Sequence, residues 1–252
     1  MKQQEYITKQ ERENCRKVVA VFHKLFQKLD ILVLDAGKYG FVLLKNLYYN
    51  DFDIIETYIN SDALFEALWQ EWLKEKLIDI CIKTPLIHLD YDKMYDRLSI
   101  KQQNKIQRTK ESFKSKIKNE SIITDITTTR KSNKKDTDKI RCQVIAQIFR
   151  KDLEKNDIIL LDTGKYGFVM LEYYKPIANF DCAIIFKSSQ KMFDMLLYEW
   201  YQCLITDLMK KQQVKDIDID DFYDSLPEEE KIELENRKSQ FVKEAMKKIG
   251  AI

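Results

Sequence analysis

The sequence predicts an α+β fold: a tandem duplication of a small three-stranded antiparallel meander covered by helices, ordered α-β-β-β-α-α-α in each copy. Three observations predict it. Four of the five glycines in the 252-residue chain lie in two copies of one turn. Leu34-Asp35-Ala36-Gly37-Lys38-Tyr39-Gly40-Phe41-Val42-Leu43-Leu44 returns as Leu161-Asp162-Thr163-Gly164-Lys165-Tyr166-Gly167-Phe168-Val169-Met170-Leu171. The correspondence also runs through almost the whole of each half. Cys15, Phe22 and Asp35 match Cys142, Phe149 and Asp162 at an offset of 127. Asp53, Glu71, Trp72, Asp90, Tyr95, Leu98 and Phe113 match Asp181, Glu199, Trp200, Asp218, Tyr223, Leu226 and Phe241 at 128. The one-residue difference falls between Leu44 and Phe52, in a segment that reads as a loop.

Each copy opens with an amphipathic helix. Val18, Val19, Phe22, Leu25 and Phe26 share one face, and Ile145, Ile148, Phe149 and Leu153 share its counterpart, after a Thr137-Asp138 cap signal. Strands follow at 31–34 and 41–44, joined by a hairpin loop over 35–40. In that loop two glycines three apart supply backbone angles that a β-carbon disfavours. A third strand is expected at 53–58, matched by 181–186, with Pro176 in the connection before it, where no ladder hydrogen bond is needed. A long helix comes next, capped by Ser61 or Asp62, with Leu64, Phe65, Leu68, Trp72 and Leu77 inward. Its partner is capped by Ser188 or Ser189, with Met192, Phe193, Leu196, Trp200 and Leu208 inward. A short helix carries Tyr91, Met94, Tyr95 and Leu98, repeated as Ile219, Phe222, Tyr223 and Leu226. The last helix starts from a Ser99-x-x-Gln102 capping box in the first copy and near Pro227 in the second.

These elements divide the chain into a first repeat at 1–118, a flexible polar linker at 119–138 and a second repeat at 139–252. The linker includes Thr127-Thr128-Thr129-Arg130-Lys131-Ser132-Asn133-Lys134-Lys135, which has neither helical nor strand periodicity. The duplication also allows pseudo-dimeric packing of the repeats.

Composition narrows the function classes. A formal charge of +2 at pH 7 demands neither nucleic acid nor membrane for the molecule as a whole. No apolar run is long enough to span a bilayer, and the first residues have no apolar signal core. Five cysteines, an odd number without C-x-x-C spacing, read as free thiols in a reducing, cytoplasmic setting.

Several motifs invite chemistry. Gly-Lys-Tyr-Gly suggests a phosphate loop, but the P-loop has other glycine spacing, a Ser or Thr after its lysine and a helix behind it, where here a strand follows. The turn's need for glycine explains Gly37, Gly40, Gly164 and Gly167. It leaves unexplained why Lys38 and Tyr39, read as exposed, recur as Lys165 and Tyr166. These four are the candidate partner-binding residues, with Tyr48, Tyr49, Tyr173 and Tyr174 beside them. His23 and His88 belong to no metal spacing or nucleophile motif. Asp216-Ile217-Asp218-Ile219-Asp220-Asp221 lacks the glycine and the closing glutamate of a calcium loop and suits a helix start. Glu71 and Glu199 recur in mid-helix, suited to an ion pair with a sheet lysine or to a solvent-side salt bridge. No catalytic set, metal site or cofactor is implied.

One surface feature belongs to the first copy alone. The helix from Ser99 carries Lys101, Lys105, Arg108, Lys110, Lys114, Lys116 and Lys118 against a single acid, Glu111. The linker adds Arg130, Lys131, Lys134 and Lys135. The leading expectation is a non-enzymatic, intracellular protein-binding module pair acting through the hairpin tips. The alternative is a nucleic-acid-associated protein using Lys101, Lys105, Arg108, Lys114, Lys134 and Lys135.

Overall fold

The computed structural model describes residues 6–26, 31–48, 51–81, 91–119, 137–163, 167–177, 179–215 and 217–250. It divides into two compact units, Met1–Ile126 and Thr127–Ile252. Nearly all of the expected linker lies outside the described residues. Of its positions only Asn119, Thr137 and Asp138 are described, and each is helical.

The first unit contains α1 (Lys9–Phe26), β1 (Ile31–Asp35), a single 3₁₀ turn (Gly37–Tyr39), β2 (Phe41–Tyr48), β3 (Asp51–Tyr58), α2 (Ser61–Cys81), α3 (Tyr91–Asp96) and α4 (Ile100–Asn119). The second contains α5 (Thr137–Glu154), β4 (Ile158–Asp162), β5 (Phe168–Tyr174), β6 (Asn179–Phe186), α6 (Ser189–Lys211), α7 (Ile219–Ser225) and α8 (Glu228–Ile249). The protein is thus mixed α+β, with antiparallel three-stranded sheets ordered β1-β2-β3 and β4-β5-β6. Among the described residues no helix is long and apolar enough to cross a membrane.

Strand registers are set by the turns. Asp35 pairs with Phe41 and Ile31 with Lys45, as Asp162 pairs with Phe168 and Ile158 with Glu172. Most of the segment expected as a loop before residue 53 is strand. β2 runs to Tyr48, and β3 begins at Asp51. Pairing passes from Lys45↔Ile54 to Asn46↔Phe52, and from Glu172↔Cys182 to Tyr173↔Phe180. Asp53 and Asp181 are therefore the extra residues of β-bulges, which keep the ladder going past a polar break in the pattern.

The cores explain the apolar periodicity. Val18, Val19 and Phe22 of α1 meet Phe41 and Leu43 of β2, Leu64, Phe65, Leu68, Trp69 and Trp72 of α2, and Ile106 of α4. Phe22 is almost fully buried and makes edge contacts with Phe65 and Phe113 at 5.6 and 5.2 Å. Trp69, missed by the inward stripe read from the sequence, stacks on Trp72 at 4.6 Å. In the second unit Phe149 meets Phe193 and Phe241, and Trp200 stacks on Phe241 at 4.0 Å. The central strand of each sheet is buried on both faces. Val42 and Leu44, like Val169 and Leu171, point opposite to the helix-packed residues and are also fully buried. A strand apolar at every position, such as Phe41–Leu44, is what burial on both faces requires.

Caps tie the helices to their neighbours. Asn60, rather than Ser61 or Asp62, caps α2, accepting from the Asp62 and Ala63 N–H groups at 2.9 and 3.0 Å. Ser188 caps α6. An acid from the first helix of each unit reaches across. The Ser61 N–H donates to Glu11 at 2.8 Å and the Ser189 N–H to Asp138 at 3.1 Å. That backbone hydrogen bond holds the Glu11 carboxyl below its usual range.

Candidate functional site

The first hairpin tip is braced from beneath by Asp35. Its carboxylate accepts from Arg12 Nε at 2.9 and 3.0 Å, from Arg16 Nε and Nη2 at 3.1 and 2.9 Å, and from the Gly37 N–H at 3.1 Å. Two successive turns of α1 place both arginines there, and the Asp–Gly contact closes an Asx-type turn. Ala36 N–H donates to Gly40 O at 2.8 Å, closing the loop. In the second unit the Thr163 N–H and hydroxyl donate to Gly167 O at 2.9 and 2.6 Å. Gly164, Lys165 and Tyr166 lie outside the described residues.

The expectation of an exposed Lys-Tyr pair is corrected at Tyr39, which is only 4% exposed. Residues ahead of α1 cover it. Tyr6 sets its ring edge-on at 6.0 Å, and the Ile7 N–H donates to Lys38 O at 3.1 Å. Tyr39 thus fastens the N-terminal segment to the turn, a long-range contact that no local pattern announces. Lys38 remains exposed, with Nζ 4.7 Å from the Tyr39 ring centroid and 5.4 Å from that of Tyr6. Of the neighbouring tyrosines, Tyr173 is buried against Phe180 and Tyr174 is exposed. Tyr49 and the Tyr48 side chain lie outside the described residues.

Glu71 and Glu199 occupy matching positions in contrasting surroundings. Lys45 of β2 lies 3.1 Å from Glu71 and 3.4 Å from Glu56, and Lys74 lies 3.0 Å from Glu71. The Tyr58 hydroxyl donates to Glu56, and burial first, then that bond, pushes its pKa up. Glu71 is therefore an ion-paired acid bound to a sheet lysine. The chain has Glu172 where Lys45 stands in the first unit. Burial first, then the charge of Glu172, raises the Glu199 pKa. The native state consequently holds this proton more tightly than the unfolded chain. Ionisation opposes folding at neutral pH, and the penalty fades as pH falls through the raised value. Glu199→Gln is expected to raise Tm at neutral pH by about 1–3 °C, and the gain should vanish on acidification. Calorimetry across pH checks this. A gain that grows on acidification would refute it.

The other sequence candidates are placed as follows. Cys15 is buried and Cys203 half-buried. Burial pushes both thiols up to about 12, so neither supplies a thiolate at neutral pH. Asp218 caps α7, accepting from the Asp220 N–H at 2.9 Å. His88, Asp90 and Asp216, with the side chains of Cys81 and Cys182, lie outside the described residues. Among the described residues no three His, Cys, Asp or Glu side chains gather as metal ligands. A groove of about 580 Å³ between α6 and α8 is lined by Leu204, Leu208, Lys211, Leu234 and Arg237 and crossed by a Gln212–Glu230 hydrogen bond of 2.9 Å. It sets no nucleophile beside an oriented base.

The basic helix resolves into two faces. Lys110 pairs with Glu66 at 2.6 Å and lies 5.6 Å from the Trp69 ring. Lys114 and Lys116 place their ammonium groups 5.7 Å from Phe65 and Phe113 respectively. Lys110 is half-buried over the aromatic cluster, while Lys114 and Lys116 are exposed with their ammonium groups near its rings. Lys101, Lys105 and Arg108 are exposed on the side of α4 away from Lys110 and Lys114, with Lys116 at the edge of that side, and have no ion pair among the described residues. Lys134 and Lys135 lie outside the described residues. α4 is held in place by Ile106, by Phe113 against Phe22, and by a Gln103 hydrogen bond to Tyr95 O at 3.2 Å. The Ser99 N–H donates to Gln102 Oε1 at 3.0 Å and the Gln102 N–H to Ser99 Oγ at 3.4 Å, forming the capping box.

In comparison with known proteins, the chain matches no family model, no curated protein and no solved structure.

Proposed function

We propose that this chain is a non-enzymatic binding protein made of two diverged copies of one α+β module, and that the first module binds nucleic acid through the exposed face of α4. Matching strand registers, bulges at Asp53 and Asp181, and the recurrent cross-helix caps support common descent of the modules. The raised pKa values of the buried Cys15 and half-buried Cys203 thiols speak against thiolate chemistry at these two positions.

The observation carrying the nucleic-acid reading is where the positive charge sits. The first turn of α4 contains Lys101 and no acid. A helix N-terminus repels a cation, at a cost of about 0.3–1 kcal/mol. At the corresponding positions α8 has Glu229, Glu233 and Asn236 in place of Lys101, Lys105 and Arg108, and Glu228, Glu229 and Glu230 fill its first turn. The corresponding helix of the second unit thus carries the opposite charge, and Lys101, Lys105 and Arg108 have no ion pair among the described residues that would account for them. Lys101→Glu is expected to stabilise the protein by about 0.5–1 kcal/mol while weakening retention on immobilised nucleic acid several-fold at low salt. Urea denaturation and column retention measure the two effects. A variant that is less stable, or is retained unchanged, contradicts the reading.

A protein partner at the first tip is the second reading, supported by the exposure of Lys38. Such a partner would meet the lysine and Tyr6, which is 46% exposed, rather than the Tyr39 ring beneath them.

A further inference from the structure

We infer that the ligand of α4 is a double helix gripped through its phosphates, not a single strand and not a particular base sequence; this rests on the nucleic-acid reading above. The spacing of the cations comes first. Lys101, Lys105 and Arg108 follow one another at i, i+4 and i+7, so their side chains leave the helix within about 60° of one another and about 10 Å along its axis. Asn104, Ser112 and Ser115 are exposed on the same side. They are short side chains whose amide and hydroxyl donors suit phosphate oxygens. Glu111, the one acid of the helix, stands at the margin and accepts from Gln107 at 3.2 Å.

The second point is what this face omits. Single strands are held by aromatic rings on which unstacked bases lie, with cations tracking the backbone beside them. Phe113 is the sole aromatic residue of α4, and it packs against Phe22, Trp69 and Trp72. The nearby rings of Phe65 and Trp69 are buried and lie beneath Lys114 and Lys110. Among the described residues, a ligand on this face meets charge and short polar groups and no stacking platform. A duplex, whose bases are already stacked and whose surface is a dense array of phosphates, fits that chemistry.

The face also lacks the means to read sequence. One arginine among two lysines, without a partner among the described residues to fix its guanidinium, does not build the bidentate contact with a base edge on which specificity depends. Three cations on phosphates give a slope of log K against log salt of about −2.7, so affinity falls about 40-fold between 50 and 200 mM salt.

The test uses the full chain and fluorescence anisotropy with three probes: two 20-base-pair DNA duplexes of unrelated sequence and one of their strands alone. The two duplexes are expected to bind within about twofold of each other and at least several-fold more tightly than the single strand. Changing Lys101, Lys105 and Arg108 to Gln should lower the magnitude of the salt slope by about 2.7, with the melting curve retained because all three side chains are exposed. Lys110→Gln, which removes a cation already paired with Glu66, should leave the slope unchanged. Equal or tighter binding of the single strand overturns the duplex assignment and leaves the nucleic-acid reading standing. A tenfold preference between the duplexes overturns the phosphate-only grip. Absence of binding to all three probes at 50 mM salt overturns the nucleic-acid reading itself.

Discussion

Gly40→Ala is expected to destabilise the first unit by about 3–5 kcal/mol, whereas Gly37→Ala, three residues away in the same turn, costs about 1–2 kcal/mol. Both glycines have positive φ, +67° at Gly37 and +100° at Gly40. They differ in what surrounds the missing side chain. A β-carbon on Gly37 would meet nothing within 4 Å, so its cost is that of the left-handed backbone alone. A β-carbon on Gly40 would lie 2.3 Å from the carbonyl oxygen of Tyr58 and 3.0 Å from its carbon. That obstacle is backbone at the end of β3, and Phe41↔Tyr58 is the first rung of the β2–β3 ladder. It cannot rotate aside as a side chain would. Relief requires opening the ladder or moving the turn, which would also disturb the Ala36–Gly40 hydrogen bond. Gly167, with φ of +93° and Phe186 O at 2.2 Å from its hypothetical β-carbon, should behave like Gly40. Urea denaturation of the three alanine variants measures the difference. Equal losses at Gly37 and Gly40 would show that backbone angle, not the close approach, sets the demand.

Phe22→Ala should cost about 3–5 kcal/mol, the range for emptying a well-packed aromatic site. Phe22 is 1% exposed and joins three helices, touching Phe65 of α2 and Phe113 of α4 from its place on α1. Its loss removes apolar burial and two edge-on ring contacts together. Because Phe113 also contacts Trp69 and Trp72, the gap opens at the hub of the cluster, where collapse of one neighbour would undo the packing of another. Phe22→Leu keeps much of the volume and should lose less than half as much. The measurement is the urea midpoint at constant m. A loss below about 1.5 kcal/mol for alanine would mean that the helices close over the gap and that α4 is held chiefly by its capping box and the Lys110–Glu66 pair.

The helices and sheets were legible because their signals are local. Alternate inward positions, a Gly-x-x-Gly turn and a Ser-x-x-Gln box each depend on residues within one turn or one hairpin. Boundaries failed where a local signal was ambiguous. Asn60 does not stand out as a cap in sequence, because Ser61 and Asp62 beside it are equally good cap formers. The segment between Leu44 and Phe52 reads as a loop because register shifts around Asn46 interrupt the period that marks a strand. The candidate residues were less legible than the fold. Tyr39 and Lys38 are adjacent in a turn, and nothing local says that Tyr6 will close over one ring and leave the other residue's ammonium outside. The seven cations of α4 likewise form one basic stretch in sequence. Only the positions of Glu66 and Trp69 set the half-buried Lys110 apart from the cations that face solvent.

By itself, then, the sequence determined the order of elements, the hairpin turns and most inward-facing residues, because backbone angles and side-chain periodicity are short-range constraints. The tertiary structure decided which charges are satisfied. Lys45 meets Glu71 across a sheet–helix contact, while Glu199 feels Glu172 at the matching place. Lys101, Lys105 and Arg108 are left to solvent, since an ion pair or a desolvated carboxylate exists only once segments distant in the chain have been brought together.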